Sequence, residues 1–315
     1  MSSSNLVSVK YVPEVTYDTV PANSPDWKYT RFTGESLSAT ADTTTSSEIR
    51  RDRSISDLPL VSITTGGSLD IEFSAGTFDD FIEAALASTW QASTPAIGSQ
   101  QLKLGTTESS FSVEKHFEDI NKFVLYSGMR VGTFNLSMAY GSILTGSIGF
   151  AGASASTPAT SAVGTGSVAS ATTTEVLNST SDFGTIEIGG VPTTICLSSM
   201  DISIDNSLRA IGCIGSATAK DQKLGTANIT GTIEIYLDAS SFAYYEAALN
   251  NTSTSLKYTV TDGTDTYEFF LPKIKLSSDS PQASSLDSDT MVSLSYTALY
   301  DPTEQSSIVI TKTTV

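Results

Sequence analysis

Three observations predict an all-β dominated fold, built of β-sandwich or β-barrel domains with one short flanking helix per domain, in tandem duplication. Apolar residues alternate with polar ones along most of the chain, only two short stretches carry helical spacing, and one strand–turn–helix segment occurs twice. The composition agrees. Of 315 residues, 93 are Ser or Thr, and only 16% are charged against about 25% in an ordinary domain. A 39% hydrophobic content still permits a packed core.

The strands come in order. In Gly67–Phe73, Leu69, Ile71 and Phe73 alternate with polar neighbours, which places one set in a core and the other toward solvent. Phe111 and Val113 repeat the pattern, as do Phe134, Leu136 and Met138, and then Ile148 and Phe150. Later come Ile186 and Ile188, Ile202 and Ile204, and Ile233, Ile235 and Leu237. The last three are Leu256, Tyr258 and Val260, then Tyr267, Phe269 and Leu271, then Val292, Leu294 and Tyr296. Gly, Ser, Asp or Asn separate most of them, as antiparallel connections require. Asp262-Gly-Thr-Asp265 reads as a hairpin turn.

Helical spacing over Thr77–Ala87 places Phe78, Phe81, Ile82, Ala85 and Leu86 on one face. Thr77 is the expected cap, and Asp79, Asp80 and Glu83 suit the positive end of the helix. Ser241–Asn250 repeats this with Phe242, Tyr245 and Leu249 on one stripe. Both are too short to stand alone, so each must pack on a sheet.

These helices reveal the doubling. Gly67-Ser-Leu-Asp-Ile-Glu-Phe-Ser-Ala75 leads to Glu83-Ala-Ala-Leu86, and Gly231-Thr-Ile-Glu-Ile-Tyr-Leu-Asp-Ala239 leads to Glu246-Ala-Ala-Leu249. Farther out, Phe111 and Val113 are matched to Tyr267 and Phe269, and the strands after Met129 to those from Ile274 to Tyr296. The expected organisation is one β domain over 1–160, a connection over 161–182 and a second β domain over 183–315. The Ala/Ser/Thr/Gly-rich stretch between about 151 and 182 reads as a flexible connection, while its Val and Thr content would also permit an extended arm or extra strands.

Residues 42–65 form a strand-bearing excursion between two sheet strands, with Pro59 suited to an edge. Arg50, Arg51 and Arg53 make a basic cluster in an otherwise acidic chain. It reads equally as a solvated loop with its arginines paired to acids or as a contact arm to another subunit. On the second helix, Tyr244 and Tyr245 beside Phe242 exceed what one face hides within its own domain, and a subunit contact would cover the surplus.

A formal charge of −17 argues against non-specific wrapping of nucleic acid. No apolar run is long enough to span a bilayer as a helix, and the N-terminus lacks the apolar core of a signal peptide. Chemistry finds little purchase. No phosphate-binding, zinc-protease or nucleophile-elbow motif occurs. Asp79 and Asp80 are explained by the start of a helix, and Glu83 and Glu246 by the repeat. His116, the only histidine, reads as a surface or interface residue just after the Phe111 strand. Cys196 and Cys213 read as reduced and semi-buried. No catalytic residue, cofactor or metal is expected, and the protein is not expected to be an enzyme.

Arg31-Phe-Thr-Gly-Glu-Ser-Leu37, Ser47-Glu-Ile-Arg-Arg-Asp-Arg53, Gly67 through Leu86 and Tyr296-Thr-Ala-Leu-Tyr-Asp-Pro302 resemble, in that order, the major tail tube protein of long-tailed, siphovirus-type bacteriophages. The resemblance implies a structural virion subunit, assembled in the host cytoplasm, whose sheets join around a ring and line a lumen with the helices outward. Rings would stack into a hollow tail that conducts double-stranded DNA during genome ejection. It implies that residues 42–65 are the ring-stacking arm, with Arg50, Arg51, Arg53, Ile55, Leu58 and Leu60 as contacts. Implied partners are further copies of the chain and the tail terminator, tail tip and tape measure proteins. Two domains per chain favour a trimeric, pseudo-hexameric ring over a ring of six chains. A β-rich surface-binding or adhesin module, or another virion structural protein, is the alternative.

Overall fold

The computed structural model describes residues 3–21, 27–92, 98–163, 168–192, 195–281, 286 and 289–314. Strands dominate. The first part of the chain holds β1 (Val7–Pro13), β2 (Trp27–Tyr29), β3 (Gly34–Glu35), β4 (Ser38–Thr43), β5 (Leu60–Glu72), helix α1 (Asp79–Ala85), β6 (Gln91–Ala92), β7 (Ser99–Lys103), β8 (Phe111–Phe117), β9 (Lys122–Ala139), β10 (Thr145–Gly152), β11 (Ser154–Ala155) and β12 (Val168–Ala169). The remainder holds β13 (Phe183–Ile188), β14 (Val191–Pro192), β15 (Leu197–Asp205), β16 (Arg209–Ile211), β17 (Asp221–Lys223), β18 (Asn228–Tyr236), helix α2 (Phe242–Leu249), β19 (Ser253–Thr261), β20 (Asp265–Ser278), β21 (Met291–Ala298) and β22 (Val309–Thr314).

The apolar alternation is the core. Leu69, Ile71, Phe134, Ile148, Ile204, Ile233, Leu256, Tyr267, Leu294 and Tyr296 are each buried, in one continuous cluster that runs through both parts of the chain. The Asp262 turn joins β19 to β20, with Gly263 at φ +88° and the Asp262 carboxylate accepting from the Thr264 and Asp265 amides.

The pairings recur. β5 pairs with β10, β10 with the second half of β9, the first half of β9 with β8, and β8 with β1, all antiparallel. Likewise β18 pairs with β21, β21 with the second half of β20, the first half of β20 with β19, and β19 with β13. Both series carry a register shift at the same step, between Phe111 and Val113 on β8 and between Thr254 and Leu256 on β19. β3 and β4 flank β5 as β15 flanks β18, and β11 adds to β9 as β22 adds to β20. A Cβ on Gly67 would meet the Ser36 carbonyl oxygen at 2.5 Å, and one on Gly231 would meet the Asp201 carbonyl oxygen, so both repeated glycines stand where a neighbouring strand leaves no room.

Among the described residues two strand pairings cross between the parts, beside an isolated bridge of Ile63 with Thr218. The outer edge of β15 pairs with β9, from Ser199 opposite Ala139 to Asp205 opposite Thr133, and β7 pairs with β22.

Several expectations need correction. Phe111 and Val113 lie on β8, whose place in the pairing order is that of β19, whereas Tyr267 and Phe269 lie on β20, whose place is that of β9. Two strands with the same aromatic alternation are easily exchanged when only spacing is read. Thr77 does not cap α1. Its hydroxyl bonds Ser74 at 2.6 Å, and the helix starts after Phe78. The 151–182 stretch is not a free connection in its described part. It supplies β11, the parallel pairing of β12 with β2, isolated bridges at Ala159, Val176 and Asn178, and the buried Leu177. Small Ala, Ser and Thr side chains let such a segment lie flat against a sheet. Residues 164–167 lie outside the described residues. His116 sits within β8, its ring stacked on Phe123 at 3.8 Å, rather than after the strand. Cys196 and Cys213 are both exposed, because they flank β15 and β16 in loops.

Candidate assembly surfaces

The arm over residues 42–65 is a projecting hairpin. β4 and β5 pair from Ser38 opposite Gly66 to Thr43 opposite Leu60, and Thr44 and Ser46 continue the ladder to the Pro59 and Asp57 carbonyls. At its far end Arg50 grips Asp52 at 2.9 Å, and that hydrogen bond draws the Asp52 carboxyl below its ordinary range. Arg53 takes φ +61°, a turn conformation. Arg50, Arg51 and Arg53 are exposed, as are Ile55, Leu58 and Leu60. Ile49, which the sequence reading passed over, is 99% exposed. Apolar side chains at the end of a thin hairpin have no core within reach and remain available to another surface.

The two helices differ in their cover. In α1, Phe81, Ile82, Ala84 and Ala85 are buried, and Leu86 behind them is fully buried. Its acids are structural. Asp79 accepts the Tyr267 hydroxyl at 2.6 Å and pairs with Lys312 at 2.8 Å, while Asp80 accepts the Tyr11 hydroxyl at 2.9 Å and pairs with Lys28 at 2.7 Å. Glu83 accepts the Trp90 amide at 2.7 Å, and burial still raises its carboxyl above the ordinary range. In α2 no residue is buried. Tyr244 and Tyr245 pack part-buried against the core, and the Tyr245 hydroxyl meets Ser280 at 3.0 Å. Phe242 and Leu249 are the exposed members, at 42% and 64%. Tyr244 and Tyr245 are thus less exposed than Phe242 and Leu249, a difference that helical spacing alone does not resolve.

Among the described residues no group of three His, Cys, Asp or Glu side chains stands where it would hold a metal ion. An open cleft beside β3 is lined by Arg31, Glu35 and Glu72, and Glu35 is taken by Lys115 at 2.6 Å. No described helix is long and apolar enough to cross a membrane.

Compared with known families, the chain matches the phage tail tube protein over residues 4–298, nearly its whole length. The chain belongs to that family. The tube protein is therefore a structural component of a virion tail and not an enzyme. A comparison with curated proteins gives no match. In this light the unpartnered features of the tube protein, namely the hairpin end, the α2 face and the open strand edges, are candidate contacts with other subunits.

Proposed function

We propose that this chain is a duplicated, siphovirus-type tube subunit, three copies of which form a pseudo-sixfold ring. The single observation that carries this reading is the recurrence of one antiparallel pairing order, with its register shift and its confined glycine, in both parts of the chain. Equal units occupy equal positions in a closed ring, so two units per chain halve the number of chains needed.

Rings stack through the 42–65 hairpin, whose exposed Ile55, Leu58 and Leu60 gain cover only outside their own domain. Arg50, Arg51 and Arg53 then meet acids of the adjacent ring, as the −17 charge of each chain supplies. The assembled tube conducts DNA from capsid to host, with an acidic lumen limiting adhesion of the phosphate backbone. The tail terminator, tail tip and tape measure proteins bound the tube at its ends and inside it.

Electron cryo-microscopy of the assembled protein tests the ring. Three chains per ring, with a mass near 100 kDa from 33.1 kDa subunits, is the expected count. Six chains per ring, with the second unit outside the wall, refutes it.

A further inference from the structure

The junction between the two parts of this chain is itself a pattern for the junction between chains. One row of opposed residues crosses it. Leu69 on β5 faces Ile148 on β10, Ile148 faces Phe134 on β9, and Phe134 faces Ile204 on β15. The matching row in the second part begins at Ile233 on β18, faces Leu294 on β21, and reaches Ser278 on β20. There it stops. β19 pairs with β20 only as far as Lys275, so beyond that point this edge of β20 has no partner strand among the described residues.

The piece that would complete the row lies at the other end of the chain. Glu35 faces Leu69, and Met200 faces Ile233; Ala39 faces Thr65, and Ile204 faces Ile229. Gly34–Thr40 thus occupies against β5 the place that Ser199–Asp205 occupies against β18. The outer edge of β15 is consumed by β9, whereas among the described residues β3 and β4 pair with β5 alone. Burial follows pairing. Ile204 is 1% exposed, while Ser38–Ala41 are all exposed.

We propose that the outer edge of β4 at Ala39 and Thr40 in one chain adds antiparallel to the open end of β20 in the next, with Ala39 opposite Ser278 and Thr40 opposite Ser277, in the register of the β9–β15 junction. This inference rests on the ring reading and names the strands, the register and the occupant, a second copy of this chain. An unpaired edge in a sheet of this length is satisfied by such an addition, and the contact is head-to-tail, so it closes by rotation.

The helices point the same way. At the internal junction Asn206, just past β15, donates to the Ala85 carbonyl at the end of α1. Gly105 and Thr107 add further cover by bonding the Leu86 and Ala87 carbonyls. Among the described residues α2 has neither, and Leu249, at the place of Leu86, stands exposed. The residues after Thr40 of the first chain fall where Asn206 falls, against the end of α2 in the next chain.

The test is cross-linking in assembled protein. Cys196 and Cys213 are first replaced by serine, and Ala39→Cys is combined with Ser278→Cys or, as a control, with Lys275→Cys. Opposed residues of an antiparallel pair bring their Cα atoms within disulfide reach. Oxidation should give disulfide-linked trimers from the first pair and none from the control. Tubes visible by microscopy without cross-links in the first pair, or with cross-links mainly in the control, overturn this register while the ring reading stands. A chain that stays monomeric at high concentration overturns both. Leu249→Glu supplies a second readout. It should leave the melting temperature of the monomer unchanged and abolish rings, and normal rings from this variant overturn the α2 contact.

Discussion

Tyr11, Tyr258, Tyr267 and Tyr296 share one electrostatic situation. Burial pushes each hydroxyl well above its ordinary value, and neighbouring carboxylates add to the effect, Asp80 at Tyr11, Asp79 at Tyr267 and Asp201 at Tyr258. A raised value in the folded state means stability that is complete below about pH 10 and declines above it, as the unfolded chain ionises its phenols and the folded one does not. Each such tyrosine steepens the decline by about 1.4 kcal/mol per pH unit. Alkaline titration should show phenolate absorbance rising in step with loss of the β signal, and Tyr258→Phe should make the fall shallower by one proton. Phenolate formation in an intact sheet contradicts this account. Lys10 and Glu114 are a second case. They stand 2.8 Å apart with side chains 7% and 0% exposed, Lys10 lies over the Trp27 ring, and the other Glu114 oxygen accepts the Val163 amide. Removing one partner strands a buried charge. Glu114→Ala should cost about 3–5 kcal/mol in denaturant unfolding, and Lys10→Met combined with Glu114→Leu should recover much of it.

At the scale of elements, the hairpin of β4 and β5 and helix α2 both carry uncovered surfaces. The exposed side chains near the hairpin end contribute little to their own domain, so charge can be placed there without unfolding it. Ile55→Glu with Leu58→Glu should shift stability by less than about 1 kcal/mol in thermal melts while microscopy finds isolated rings in place of tubes. Tubes of normal length would remove the stacking role from this hairpin. Strands were the most legible elements, because burial on one face forces a two-residue period. Leu69 and Ile71, Ile148 and Phe150, and Leu294 and Tyr296 all lie inward as their spacing requires. β1, β7 and β22 carry little signal in the sequence. Val9 and Tyr11 alternate over too short a stretch, and Leu102 is the only large apolar residue that β7 buries.

The whole molecule carries −17 formal charges on 315 residues, so its copies repel one another before any contact forms. Screening shortens that repulsion to about 10 Å at 0.1 M salt. Assembly followed by light scattering should therefore quicken as salt rises from about 0.01 to 0.1 M, and a rate that falls with salt would show that attraction between unlike patches governs the encounter. The core explains why the two parts are not separable beads. β15 pairs with β9, β7 pairs with β22, Tyr267 reaches Asp79 and the Gly76 amide, and the buried apolar cluster runs across the join.

The sequence by itself determined the β class, the inward face of most strands, both short helices and the recurring strand–turn–helix segment, because each follows from local periodicity and from residues close in the chain. It also pointed to the tail tube family. Only the tertiary structure decided which strands are neighbours, that Asp79 and Asp80 are held by residues from distant segments, that 151–182 partly joins the sheet, and that Phe242 and Leu249 rather than the two tyrosines stand uncovered. Pairing and burial depend on contacts between residues more than a hundred positions apart, and a two-residue alternation is the same whichever partner strand it meets.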